Sequence, residues 1–162
     1  PTAGPRRAPP AARPHAEKRG RAWFEPQGAC GMCHGGPLLN ETPQDNLFGL
    51  PPGIRFIGAA VSEVNSGGNP VHEFLVTQPD GSTVAVASPD PGLMLVTGAV
   101  QDQGNFKMVS LRNVKNTAPY FHDNSAKNLE QVMAQYEILF GFMGIPLTEQ
   151  DSADIVAYMK LL

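Results

Sequence analysis

The chain has 162 residues, 41% of them apolar and 17% charged, which suits one domain with a core of its own and excludes a disordered chain. A formal net charge of −3 gives no electrostatic case for nucleic acid, and no run approaches the roughly 18 apolar residues a membrane-spanning helix needs. Seventeen Gly and sixteen Pro predict a fold in which loops take a large share.

Residues 1–15, PTAGPRRAPPAARPH, hold Pro, Ala and Arg with almost nothing to bury, the composition of an extended linker. The sequence begins at Pro1 without an initiator Met or a signal segment, and reads as a cleaved or excised piece of something longer. Residues 16–162 are expected to form one domain. Its first element is a short helix over AEKRGRAWF, anchored by Trp23 and Phe24, that delivers the chain to GACGMCHGG at 28–36. Loops follow. Within an inserted region of about residues 54–100, VHEFLVTQPDGSTVAVASPDPG alternates apolar and polar residues around Pro79-Asp80-Gly81, which predicts a β-hairpin. A further short strand is expected over Leu93–Val96. The last third is helical. Asn128 with Gln131, and Thr148 with Asp151, have the spacing of N-caps and their partners. Ile155, Tyr158, Met159 and Leu162 recur on one helical face.

Both cysteines of the chain, Cys30 and Cys33, fall within a span of four residues, with His34 immediately behind them. Three chemistries compete for CGMCH. In the first, the thiols add to the two vinyl groups of a haem and His34 becomes an axial ligand of its iron; Cys-x-x-Cys-His is the attachment signature of c-type haem. The second is a zinc site, which wants four N or S ligands and would have to recruit among His15, His72 and His122 in no finger-like spacing. The third is a redox dithiol, which belongs between a strand and a helix, whereas the flanks here are Gly-rich. The haem reading fits best. A porphyrin would also give a loop-rich chain an apolar centre, and covalent haem attachment implies a periplasmic location.

The other face of the iron decides between electron carriage and open-site chemistry. Candidates are Met94, Met108, Met133, Met143, Tyr136, His72 and His122. Spacing does not choose among them, since a helical Met is ordinarily core filler and His72 falls in the hairpin.

The segment FKMVSLRNVKNTAPYFHDNSAKNLEQV, residues 106–132, resembles the C-terminal haem domain of the bacterial dihaem cytochrome c peroxidases and MauG-like enzymes. Their pattern runs LRNV…TAPYFHDGS…LEEV. The similarity extends upstream through RGRAWFEPQGACGMCHGGPLL and downstream through LTEQDSADIVAYMKLL, and leaves only about 54–100 unmatched. The resemblance implies a mainly α, cytochrome c-like haem domain with a β-hairpin insertion and long loops. It implies that Cys30 and Cys33 hold the haem, with His34 as proximal ligand. It places the distal ligand on the helix after LRNV, at Tyr136, with Met133 one turn earlier if the register slips. Arg112 is implied as a partner of a haem propionate or nearby carboxylate. The backbone carbonyls of Thr117 and Pro119 match positions that bind a calcium ion, for which carbonyl oxygen is suited.

Members of that family carry two CxxCH motifs, and these 162 residues carry one. The expected role is therefore to pass electrons to a second haem, outside these residues, that reduces hydrogen peroxide. A small redox protein is the expected donor or acceptor. The alternative is a free-standing monohaem electron carrier with Met94 or Met108 as sixth ligand.

Overall fold

The computed structural model describes residues 15–58 and 69–162. The expected linker falls almost wholly on residues 1–14, outside the described residues, as does part of the expected insertion, residues 59–68. In chain order the elements are helix α1 (Ala16–Ala22), strand β1 (Phe56–Gly58), strand β2 (His72–Thr77), strand β3 (Thr83–Ser88), helix α2 (Met94–Thr97), strand β4 (Asn105–Lys107), helix α3 (Leu129–Phe142) and helix α4 (Glu149–Met159). Short 3-10 turns cover Val100–Asp102 and Val114–Asn116. Turns and loops hold more of the described residues than helices and strands combined, so the mainly α expectation stands only in a coarser form: helices at both ends of the chain, with two small sheets between them.

The first and last helices meet. Helix α1 lies on α4 so closely that a Cβ on Gly20 would overlap the carbonyl oxygen of Asp154. Only glycine permits that approach. Arg19 grips the same residue through two hydrogen bonds, from Nε to Asp154 Oδ2 at 2.6 Å and from Nη2 to Oδ1 at 2.8 Å. Gln150 Nε2 adds a third at 2.8 Å. A buried carboxylate is tolerable only with such partners. Phe24 stacks on Tyr158 with ring centroids 5.0 Å apart.

Helix α4 starts where its sequence says it should. Thr148 Oγ1 accepts from Asp151 N at 3.1 Å while Asp151 Oδ2 accepts from Thr148 N at 2.9 Å, a reciprocal cap. Its inner face buries Ile155, Val156 and Met159, each worth about 1.5–3 kcal/mol of burial. Helix α3 is capped by Asn128, whose Oδ1 accepts from Gln131 N at 2.9 Å, but Gln131 Oε1 reaches back to the Lys127 N–H rather than to the Asn128 one. Leu129 and Met133 of α3 join Phe24, Leu111, Val114, Ile155, Val156 and Met159 in the main core.

The expected hairpin is present. β2 and β3 pair antiparallel from His72↔Ser88 to Thr77↔Thr83, and Gly81 turns the chain at φ 84°. Asp80 Oδ1 secures the turn by accepting from Ser82 N and Oγ at 2.9 and 2.7 Å. The strand expected over Leu93–Val96 is instead the single helical turn α2. Gly92 and Gly98, both at positive φ, bracket it, and the Gly98 N–H closes it on Met94 O. Of its apolar residues only Met94 is buried, against Val76 and Val86, in a small core of its own. The second sheet was not anticipated: β1 pairs antiparallel with β4, three residues on each side.

Candidate functional site

The CGMCH stretch leaves α1 through turns fastened to the helix end. Cys30 N and Gly31 N both donate to Trp23 O, at 3.0 and 2.9 Å. Met32 N then bonds Gly28 O at 3.1 Å and His34 N bonds Cys30 O at 2.9 Å, so the motif winds as about one helical turn. Gly31 lies so close to Glu25 that a Cβ there would meet its carbonyl oxygen. Gly28 is confined in the same way by Trp23 O, so both glycines are required by the backbone.

Cys30 and Cys33 are free thiols, both half-buried. Burial is the main force on each, with Cys33 adding to it at Cys30; the Cys30 thiol is pushed up to about 12 and that of Cys33 to about 11. Such thiols are protonated at neutral pH, the reverse of the low-pKa nucleophile a redox dithiol needs. Among the described residues no three His, Cys, Asp or Glu side chains converge as a metal cage would require. His15 and His72 are exposed, and His122 Nε2 lies 2.5 Å from Asp90 Oδ2 with its ring 4.4 Å from Phe106. The zinc reading therefore finds no fourth ligand among the described residues.

His34 is held in one orientation. Its Nδ1 lies 2.9 Å from the carbonyl oxygen of Leu39, so Nδ1 carries the proton and Nε2 is the nitrogen able to coordinate. Burial lowers its pKa, against a smaller upward pull from the Leu39 bond, which favours the neutral imidazole a metal takes. Leu39 itself has φ 54°, a left-handed backbone unusual for a residue with a branched side chain.

Across the cysteines lies α3. Tyr136 packs on both the main core and a second cluster of Ala29, Met32 and Phe140, which Cys30 and Cys33 also border. Its ring is 5.6 Å from that of Phe140. Burial raises the pKa of its phenol, and the two neighbouring thiols push the same way. Met133, the fallback one turn earlier, is 3% exposed within the main core, which Cys30 also borders. Met143 borders the cysteine cluster at the end of α3. Met94 sits in the separate hairpin core, and Met108 is buried with its N–H on Arg55 O at 2.8 Å. Beside Tyr136, Gln135 Oε1 is buried without a hydrogen-bond partner among the described residues. A buried orphan acceptor is what a bound group or its ordered water would satisfy.

The other expected residues are also placed. Arg112, expected near a propionate or carboxylate, is exposed and donates from Nε to Pro37 O at 2.9 Å. Thr117 and Pro119 are exposed in the turn after the second 3-10 segment, where the Thr117 N–H and Oγ1 both bond Val114 O. The donor set suits a covalently held haem: two thiols flanking one turn, a neutral imidazole with Nε2 available, and a buried phenol beside the thiols. Ser110 was missed by sequence reasoning. Its hydroxyl donates to Leu38 O at 2.8 Å and accepts from Arg112 N at 3.1 Å. Only the second of these, a local Ser bond two residues on, has a sequence signal.

Comparison with known proteins decides the lineage. Cytochrome-c peroxidase IdrP1 of Pseudomonas sp. (strain SCT) is 30% identical over 157 residues, covering 91% of this chain and 40% of the relative. The IdrP1 of Denitromonas iodatirespirans is 31% identical over 153 residues, covering 90% and 39%. These similarities fit the bacterial dihaem cytochrome c peroxidase and MauG-like family. Cytochrome c551 peroxidase of Nitrosomonas europaea matches a shorter stretch, 37% identical over 78 residues, or 46% of this chain and 22% of the relative. The crystal structure of a MauG-like protein associated with microbial copper homeostasis superposes with a TM-score of 0.58 at 27% identity, over 94% of this chain and 48% of that one. No family model matches. Peroxidases and MauG-like proteins of this family bind haem c. This chain spans about two fifths of the length of the two IdrP1 peroxidases. No helix among the described residues is long and apolar enough to cross a membrane.

Proposed function

We propose that the chain is the c-type haem domain that takes, holds and passes single electrons within a periplasmic peroxidase or MauG-like oxidoreductase. Hydrogen peroxide would be reduced at a second haem outside these residues, and a small redox protein would exchange electrons with the enzyme. The observation that carries the reading is the fixed His34 imidazole, Nδ1 spent on Leu39 O, standing directly behind two protonated, half-buried thiols. When bound, the haem iron supplies one-electron exchange.

The residues of the chain have separate tasks. Cys30 and Cys33 would tether the porphyrin edge through thioethers, and His34 would give its Nε2 to the iron. Tyr136 would offer its phenol oxygen as a further ligand to the iron; the shared packing of Tyr136 with both cysteines supports this. A haem held by protein ligands in this way would leave peroxide no place to bind and would serve electron transfer. The apolar wall of Ala29, Met32 and Phe140 would keep water from the ring. Arg112 would lie toward a propionate, and the Thr117 and Pro119 carbonyls would hold a calcium ion where this domain faces its haem-bearing partner. Met94 as sixth ligand, one form of the free-standing carrier, is disfavoured by its place in the hairpin core.

The test uses the full-length protein matured with haem. Tyr136→Phe should change the visible spectrum of the oxidised protein, whereas Met94→Leu and Met108→Leu should leave it unaltered. Removing both cysteines should abolish peroxide-dependent oxidation of a reduced donor protein. A spectrum that changes in Met108→Leu and not in Tyr136→Phe would turn the reading toward the carrier.

A further inference from the structure

Three consecutive carbonyls of the loop after the cysteine motif are each taken by a different side chain. Pro37 O accepts from Arg112 Nε at 2.9 Å, Leu38 O from Ser110 Oγ at 2.8 Å, and Leu39 O from His34 Nδ1 at 2.9 Å. The same Ser110 hydroxyl accepts from Arg112 N at 3.1 Å, so Ser110 and Arg112 act as one unit. They stand more than seventy residues from the loop in sequence. The loop is closed at its base by Gly35 N to Glu41 O at 2.8 Å and Asn40 N to Gly35 O at 3.1 Å.

We infer that Ser110 and Arg112 form a clamp whose purpose is to aim the Leu39 carbonyl at His34, making both positioning residues for the haem ligand. The physical case begins with Leu39. A left-handed φ of 54° persists at a non-glycine residue only when its surroundings over-determine it. The two side-chain bonds fall on the two peptide groups just before it, where they fix the direction of the Leu39 carbonyl. That carbonyl orients the imidazole and, by drawing on its Nδ1 proton, raises the electron-donating power of Nε2. A more strongly donating His34 favours oxidised iron, so the clamp holds the reduction potential down.

This deepens the haem reading and rests on it, so the test separates the two. In the full-length, haem-bearing protein, Ser110→Ala should raise the midpoint potential, Ser110→Thr should restore it, and the His34 Nδ1 proton should exchange with solvent at least about tenfold faster in Ser110→Ala. Arg112→Lys keeps the charge but loses the planar donor that meets Pro37 O, and it should shift the potential in the same direction. A potential and an exchange rate unchanged in both Ser110→Ala and Arg112→Lys, in protein that carries covalent haem, overturn the clamp and leave the haem reading intact. A shift in Arg112→Met alone, absent from Ser110→Ala and Arg112→Lys, assigns Arg112 to the charge of the haem and also overturns it. Protein with no covalent haem overturns the haem reading and the clamp together.

Discussion

The helical face around the cysteines and the hairpin region are built on different terms. The first is assembled from distant segments: residues 16–39, 110–114 and 129–159 share one core, joined by the Arg19–Asp154 pair and the clamp on the loop after His34. The hairpin makes its own small core of Val76, Val86 and Met94, with pairing that is almost all local. It touches the rest through Asp90 and His122, and β4 follows it back into the chain. The contrast teaches that the cysteine-bearing face depends on long-range closure, while the hairpin is held mainly by its own pairing and its own small core.

Substitutions should widen or collapse that difference. The largest effect is expected at Gly20. Gly20→Val drives a side chain into the Asp154 carbonyl and separates α1 from α4; a loss of about 3 kcal/mol or more should appear in urea unfolding, with haem retention falling in step.

Paired truncations of two equally buried methionines come next. Met133 and Met94 are each 3% exposed, and Met→Ala at either should cost about 2–4 kcal/mol. Only Met133→Ala should disturb the haem spectrum, since Met94 belongs to the hairpin core. Equal spectral disturbance from both would erase the distinction between the regions.

The thiols make a smaller, pH-dependent prediction for the haem-free polypeptide. Their folded pKa values, about 12 and 11, lie above the ordinary 9.0. The folded state therefore favours the protonated thiols, and this contribution is fully present below pH 9. It should be lost as pH rises through the window to about 12, where the unfolded chain ionises first. Urea midpoints of the reduced haem-free chain should decline across that window, less steeply once both cysteines are replaced by Ala. Alkylation of either thiol at pH 8 should be slower than for a free cysteine.

The smallest effect is expected at the surface. Lys160 Nζ lies 2.7 Å from Glu130 Oε1, with both side chains about half exposed. Lys160→Met should change stability by less than about 1 kcal/mol.

What the sequence revealed follows the range of the forces involved. Asn128, Thr148 and the Pro79-Asp80-Gly81 turn were legible because each acts on backbone within three residues of itself. The β1–β4 pairing was not, because three-residue strands some fifty positions apart leave no periodicity to read. Leu93–Val96 read as a strand from its apolar run; the glycines on either side close it as a helical turn, and Leu95 and Val96 face solvent. At the site, Cys30, Cys33 and His34 announce themselves by spacing alone. Tyr136 was suggested only by resemblance, and its packing beside the thiols comes from the fold. The Ser110–Leu38 bond had no readable signal, since a contact between residues 72 positions apart is a product of tertiary structure.

The most direct measurement is the intact mass of the denatured protein, expressed in a host competent for cytochrome maturation. The account predicts one haem added through thioethers at Cys30 and Cys33, retained after acid and organic extraction and absent when both cysteines are replaced by Ala. A folded protein whose mass equals the bare polypeptide, made in that same host, would contradict it.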